Sequence, residues 1–461
     1  MKNEQLASEQ WTAYELSEIS LGDKRLNWRF LDSAAKLAAK PSVSINQACD
    51  DWADTKATYR LFANEKTTAE EILAAHQQRT RERMAGHKYI LAIQDSSYLD
   101  YSHHPSKRGM GPIGTSEQSL RGLVMHSVLA TTTSGLPIGL LYQNIWSRDE
   151  TVKQTTSTER RRVPIEEKES NKWLLALSET VKWQPEGTRL VTVGDSEADI
   201  FELFNHACEK KTDMLIRAAQ NRAVCEPEVG LLWAVVERQP IAGHLKVQVR
   251  KREECPAREA TVAVRYTSLV LRPPQHLRRQ MKPLSLYCVL VQETNPPADV
   301  KPLCWLLLTT VPISSFDDAV ERIQWYCQRW QIEILHKILK SGCRIEQAQL
   351  ASDTRLIPLI ALFSIIAWRL FWCTFLARTD PDAPASTILA KHELDALYIF
   401  IHKQPMPNSL APSVRQSLRW IAQLGGFLAR KNDGEPGVTV VWRGWQRLSD
   451  ISAAYLAFHP H

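Results

Sequence analysis

Two short apolar runs, each closed by an aspartate, constrain the fold of this chain more than any other feature. Tyr89-Ile-Leu-Ala-Ile-Gln-Asp95 and Arg189-Leu-Val-Thr-Val-Gly-Asp195 share one pattern. Each reads as a buried strand that ends on its carboxylate. Met214-Leu-Ile-Arg217 is a third short strand, ending in a cation. In open α/β sheets, ligands gather at the carboxyl ends of strands, so Asp95, Asp195 and Arg217 are candidates for one site. The plain alternative is that a strand-terminal Asp serves as a helix cap, which suits Asp195 before Ser196-Glu-Ala-Asp-Ile-Phe.

The rest of the chain is arranged around these strands. Its 461 residues exceed one ordinary domain and suggest about three. Residues 1–75 read as a helical domain. In it Leu26, Phe30, Leu31, Ala34 and Leu37 recur at helical spacing, and Trp52, Tyr59 and Phe62 are expected to anchor a second helix. Lys24, Arg25, Arg29 and Lys56 are candidate phosphate contacts there, although helix-surface cations are the ordinary explanation. Thr67 to Glu70 has the spacing of a capping box. Residues 76–370 carry the strands. Leu123–Thr131 and Gly139–Ile145 are expected to form a hairpin, and Ile165–Val181 a helix. Between about 226 and 305 the runs His244–Arg250, Thr261–Leu271 and Leu284–Gln292 alternate as antiparallel strands, with Leu303–Thr310 after them. They read as a β insertion. Beyond residue 350 the chain is helical again, and 371–461 reads as a third, helical domain.

Composition narrows the class. A net charge of +6 and a pI of about 8.7 are compatible with a polyanionic partner without demanding one. Basic runs at Arg160–Arg162, Arg250-Lys251-Arg252 and Arg278-Arg279 give weak support for one. The nine cysteines contain no C-x-x-C pair, so neither a zinc site nor a disulfide framework is expected, and a reducing, cytoplasmic setting fits. The run Leu356–Leu376 is interrupted by Arg369. It reads as a buried core helix and not a membrane span.

Tyr326–Lys340, YCQRWQIEILHKILK, supplies the third carboxylate. At about 100° per residue, Tyr326, Arg329, Glu333 and Lys340 share one wedge of a helix, with His336 and Lys337 at its borders. Trp330, Ile332, Ile334, Leu335, Ile338 and Leu339 fill an apolar arc expected to dock on a core. A lone Glu among cations is ordinarily a surface ion pair. With Asp95 and Asp195, however, Glu333 makes an all-oxygen donor set suited to a hard divalent cation. Two such ions about 4 Å apart support phosphoryl transfer. The phenol and cations beside Glu333 suit an anionic substrate such as a phosphodiester.

The spacing of Tyr326, Arg329, Glu333 and Lys340 resembles the Y-x-x-R-x-x-x-E-x-x-x-x-x-x-K signature of the cut-and-paste DDE transposases of the insertion-sequence-four family. The resemblance covers nearly the whole chain. It includes LGDKRL at 21–26, IQDSS at 93–97, VGDSEADI at 193–200, NPPADVKPLCWLLLT at 295–309, LGGFLARKNDGEPG at 424–437 and WRGW at 442–445. It implies a ribonuclease-H-like (retroviral-integrase-like) α/β catalytic core with an antiparallel β insertion, flanked by helical N- and C-terminal domains. It also implies an N-terminal domain that binds transposon ends and a C-terminal domain that pairs two copies on DNA.

By the same resemblance, Asp95, Asp195 and Glu333 would be the metal-binding catalytic triad, holding two Mg²⁺ or Mn²⁺ ions. The implied reaction nicks double-stranded DNA at the transposon end, passes through a hairpin and joins the freed 3′-hydroxyl to target DNA. Tyr326, Arg329, Lys340 and Arg217 would contact the DNA, helped by His336 and Lys337. Trp305 would stack a flipped base, though beside Leu306-Leu-Leu it also reads as core. The chain departs from the family in a longer linker at 150–163 and in sparse N-terminal cations. Two other readings stay open: a stand-alone ribonuclease-H-like nuclease, and a DNA-binding regulator without catalysis. No Gly-rich phosphate loop points to a nucleotide-driven machine.

Overall fold

The apolar run at Tyr89 does form a strand, but the strand does not stop at Asp95. In this computed structural model β1 spans Tyr89–Asp100, with the polar Asp95-Ser-Ser segment inside it. The expectation of a strand ending at Asp95 fails because the ladder continues. Ser96 Oγ lies 2.9 Å from His126 Nδ1, and the Tyr101 N–H reaches the Arg121 carbonyl at 2.9 Å. The second run ends as expected, as β5, Arg189–Gly194. The structure describes residues 11–114, 119–149, 163–226, 230–249, 257–298, 300–430 and 433–459. Arg160–Arg162, Arg250-Lys251-Arg252 and nearly all of the 150–163 linker lie outside those residues.

The chain divides into two compact units, Met1–Ala85, Ser96–Val152 and Gln331–His461 in the first, Gly86–Asp95 and Lys153–Trp330 in the second. The first unit opens with helices α1 (Trp11–Glu15), α2 (Lys24–Ala39), α3 (Ile45–Ala48), α4 (Trp52–Leu61) and α5 (Ala69–Met84). Asp23 starts α2 by accepting the Arg25 and Leu26 N–H groups, and Phe30, Ala34 and Leu37 are buried as their spacing predicts. Two expectations fail here. Thr68 caps α5 through the Glu71 N–H, one residue later than the Thr67 spacing suggests. Phe62 is buried, but Trp52 is 65% exposed and anchors nothing. Asp51 caps α4, which puts Trp52 on its first, solvent-facing turn.

In the same unit β2 (Gly111–Ile113), β3 (Leu120–Thr132) and β4 (Pro137–Trp146) are antiparallel, β2 pairing with the start of β3 and β4 with the rest of it. The expected hairpin is therefore present. α1 is tied to α5 through buried Glu15, which accepts from Arg83 at 2.8 Å and lies 2.5 Å from His76 Nδ1. His76 Nε2 in turn accepts the Leu140 N–H of β4. Paired in this way, Glu15 has its pKa lowered to about 2 by Arg83 and His76, against the burial that would raise it.

In the second unit β1 pairs parallel with β5, and β5 parallel with β6 (Asp213–Arg217). Helix α6 (Asn171–Val181) precedes β5 and α7 (Phe201–Lys210) follows it. Helix α8 (Leu232–Glu237) leads into β7 (Gly243–Val249), β8 (Arg258–Leu271) and β9 (Leu284–Glu293), all antiparallel as expected. β10 (Cys304–Thr309) then pairs antiparallel with both β9 and β6. The insertion thus extends the sheet beyond β6. Trp173, Phe201, Phe204, Ile216, Leu286 and Leu306 share its core.

After β10 comes α9 (Phe316–Cys327), capped by Ser315 and Asp318. The single regular helix expected over 326–340 is interrupted. Gln328 and Arg329 form a turn, α10 spans Trp330–Lys337, and Ile338–Gly342 is a π-helical turn closed by the Cys343 N–H on the Ile338 carbonyl at 2.8 Å. Helix α11 (Asp353–Thr379) is apolar and long enough to cross a membrane, yet 94% of its most apolar window is buried in the protein. Helices α12 (Lys391–His402), α13 (Val414–Leu424) and α14 (Val438–Phe458) complete the first unit.

Candidate active site

The parallel register does most of the assembly. Ile93 pairs with Val193 across β1 and β5. Two residues further along, on the same face, Asp95 and Asp195 are therefore neighbours across strands roughly 4.8 Å apart. Asp195 also caps the 3₁₀ turn Ser196–Ala198, its Oδ1 accepting the Glu197 N–H at 2.9 Å. Capping engages one oxygen of that carboxylate, and the other makes no hydrogen bond among the described residues.

A cationic and aromatic cluster belongs to the same unit. Arg329 Nη1 lies 3.6 Å from Asp95 Oδ2, each side chain about one-fifth exposed. Tyr326, on the last turn of α9, is 6% exposed. Burial raises its pKa, while Arg329 and a hydrogen bond with Arg217 oppose the rise and Asp195 adds to it. The Trp305 ring meets Tyr326 edge-on, with centroids 5.5 Å apart. Arg217 is in register with Leu307, two residues along β10 from Trp305, so both side chains lie on one face of the sheet. Asp95, Asp195, Arg217, Trp305, Tyr326 and Arg329 are therefore brought together within the second unit.

Glu333, His336, Lys337 and Lys340 belong to the first unit. Glu333 is half-buried on the first turn of α10, and Lys337 is exposed. Lys340 donates to the Tyr98 carbonyl at 2.8 Å and stands 3.4 Å from Glu346 Oε1. The apolar arc divides. Ile332, Leu335, Ile338 and Leu339 are buried, whereas Trp330, the first residue of α10 and on the same side of it as exposed Lys337, is 37% exposed. His336 falls on the packed side. Burial, with Lys340 nearby, pushes its pKa down to about 3, so it stays neutral and inward.

Asp95 and Asp195 fit a hard divalent cation in donor type and in spacing. Among the described residues, no three His, Cys, Asp or Glu side chains gather closely enough to hold an ion. One positioning pair has no simple signal in the sequence. Buried Asp199 accepts the Ala219 and Gln220 N–H groups and the Arg222 guanidinium, fixing the loop directly after Arg217. Its only trace is a second acid in VGDSEADI and an arginine five residues after Arg217.

Three known families match the chain in succession. Residues 8–67 match the transposase DNA-binding family. Residues 150–357 match the transposase DDE domain, a match that includes Asp195 and Glu333 and begins after Asp95. Residues 365–456 match the transposase Tn5 dimerisation domain. The DDE domain carries the ribonuclease-H-like fold, consistent with the parallel β1–β5–β6 core, and its chemistry depends on divalent metal. DNA binding, DDE catalysis and dimerisation meet here in one polypeptide, and the chain belongs to the Tn5-like DDE transposases.

Proposed function

We propose that Asp95, Asp195 and Glu333 are the acidic triad of this transposase, and that it excises its element by nicking each transposon end, forming and reopening a DNA hairpin, and joining the freed 3′-hydroxyl to target DNA. The observation that supports this most is the β1–β5 register, which sets two carboxylates side by side next to Arg329, Tyr326 and Arg217. Mg²⁺ or Mn²⁺, two ions per site, when bound would supply the Lewis acidity that activates the attacking oxygen and steadies the leaving one.

The chain's own groups do the positioning. Arg329, Arg217 and Lys340 hold the non-bridging oxygens beside the scissile bond, and the Tyr326 hydroxyl orients them. Lys337, exposed on α10, takes a neighbouring phosphate. His336 is left out of this set because it is buried and neutral. Trp305, half-buried and braced by Tyr326, offers its open side to an unpaired base. Functionally we divide the chain into end binding over 1–75, catalysis over 76–370 with the β insertion at 226–305, and pairing of two copies on DNA ends over 371–461. The protein works in the bacterial cytoplasm, on the nucleoid when DNA-bound.

Glu333→Gln tests the triad. The variant should bind an end duplex normally and, with Mg²⁺, give neither the nick nor the hairpin-sized product that the unaltered protein gives on a denaturing gel. A variant that cuts normally refutes the assignment. Cut but never joined products from the unaltered protein would point to a nuclease, and binding without any cleavage would point to a regulator.

A further inference from the structure

Residues 8–67, the stretch that matches a DNA-binding family, hold eight basic and nine acidic residues. Such a segment draws little from the polyelectrolyte attraction that usually dominates DNA affinity. Two of its cations are also engaged. Arg29 is paired with Asp32 and Asp54 at 3.3 and 3.0 Å, and Lys36 with Asp32, Asp50 and Asp54. Something other than net charge must hold the duplex.

The surface offers two tryptophans. Trp28 on α2 is 63% exposed and Trp52 on α4 is 65% exposed, unusual for the largest apolar side chain. Each stands among cations at helical spacing. Lys24 and Arg25 lie one turn before Trp28. Lys56 follows Trp52 by one turn, with its Nζ 5.0 Å from the ring centroid, and Arg60 follows by two. All four cations are exposed, and none is in an ion pair among the described residues. The two faces are also joined. The Arg29 guanidinium sits 5.3 Å from the Trp28 centroid and bonds Asp54 on the first turn of α4, the turn that carries Trp52.

We infer that Trp28 and Trp52 are duplex-contacting residues of the end-binding surface, their rings packing on deoxyribose and thymine methyl groups while the four flanking cations take phosphates on either side. This deepens the end-binding reading above and rests on it. An exposed ring gains by leaving water whatever the ionic strength, whereas each phosphate contact releases counterions. Rings and cations are therefore separable by salt.

The experiment uses the full-length protein, a labelled end duplex, a scrambled duplex of equal length and a salt series. Trp28→Ala and Trp52→Ala should each weaken end binding about tenfold, and together about a hundredfold, with the slope of log K against log salt unchanged. Lys24→Gln and Lys56→Gln should each reduce that slope by about 0.9. Trp28→Phe/Trp52→Phe should restore most of the affinity, which guards against an alanine pair that merely unfolds α2 and α4. Unaltered affinity in the alanine pair with native circular dichroism overturns the inference. So does a change in DNA-free oligomeric state by gel filtration with binding intact, which would assign the rings to a second copy. Failure of the unaltered protein to distinguish end from scrambled duplex would instead overturn the end-binding reading itself.

Discussion

Asp195 is placed under two demands that a single substitution separates. It caps the turn Ser196–Ala198 through Oδ1, and it stands beside Asp95 by strand register. Were capping its whole purpose, asparagine would serve as well, because Asn and Asp are equivalent N-caps. Asp195→Asn should therefore keep the melting temperature of the parent while cleavage of an end duplex falls by about a thousandfold or more, since the amide removes the charge that a cation needs. Asp195→Ala should lose the same activity and in addition about 1 kcal/mol of stability. Near-normal cleavage by the asparagine variant would leave Asp195 as a cap alone.

At the scale of elements, α13 and α14 approach each other closely at two glycines. A Cβ on Gly444 would lie 1.7 Å from the Ile421 carbonyl oxygen, and one on Gly425 would lie 1.9 Å from that of Val440. Both obstacles are backbone, so no rotamer change relieves them. Gly444→Ala must push the helices apart, at a cost of about 2–3 kcal/mol. Both helices fall in the Tn5 dimerisation match, so paired-end complexes on a native gel should fail while binding to a single end persists. Normal pairing by this variant would place dimerisation elsewhere. The WRGW motif was legible in the sequence, but its Gly444 contact was not, because a close approach has no signal along one chain. The strands were legible for the opposite reason: burial on both faces writes itself as unbroken apolar runs. The extension of β1 past Asp95 was hidden, since Asp-Ser-Ser mimics a strand end unless the partner strand is known. The pause at Gln328–Arg329 and the π turn at Ile338–Gly342 were hidden too, because the apolar spacing looks the same with or without them.

For the molecule as a whole, net charge gave a poor guide, since +6 overall conceals a DNA-binding segment with more acids than bases. Buried titratable groups say more about behaviour in solution. His336 is held neutral, its pKa lowered to about 3 from the ordinary value of 6.5 by burial and Lys340. His76 is lowered as well, by burial against the pull of Glu15. Below pH 6.5 the unfolded chain takes up protons that these folded histidines refuse, so stability present above pH 6.5 is lost as pH falls, by up to about 1.4 kcal/mol per pH unit for each proton. Glu15 acts lower down. Its folded pKa of about 2 lies below the ordinary 4.5, so its contribution is complete above pH 4.5 and is lost between 4.5 and 2. Two stages of acid destabilisation are therefore expected, a histidine stage beginning near pH 6.5 and a carboxylate stage beginning near 4.5. His336→Leu removes one titrating group while keeping the site apolar, and its urea midpoint should fall more gently than that of the parent between pH 6.5 and 5. Above pH 7 the leucine variant should be at least as stable, because His336 Nε2 is buried there without a hydrogen-bond partner among the described residues. Identical slopes for variant and parent over that range would show that His336 titrates normally in the folded protein, and would return it to the surface facing DNA.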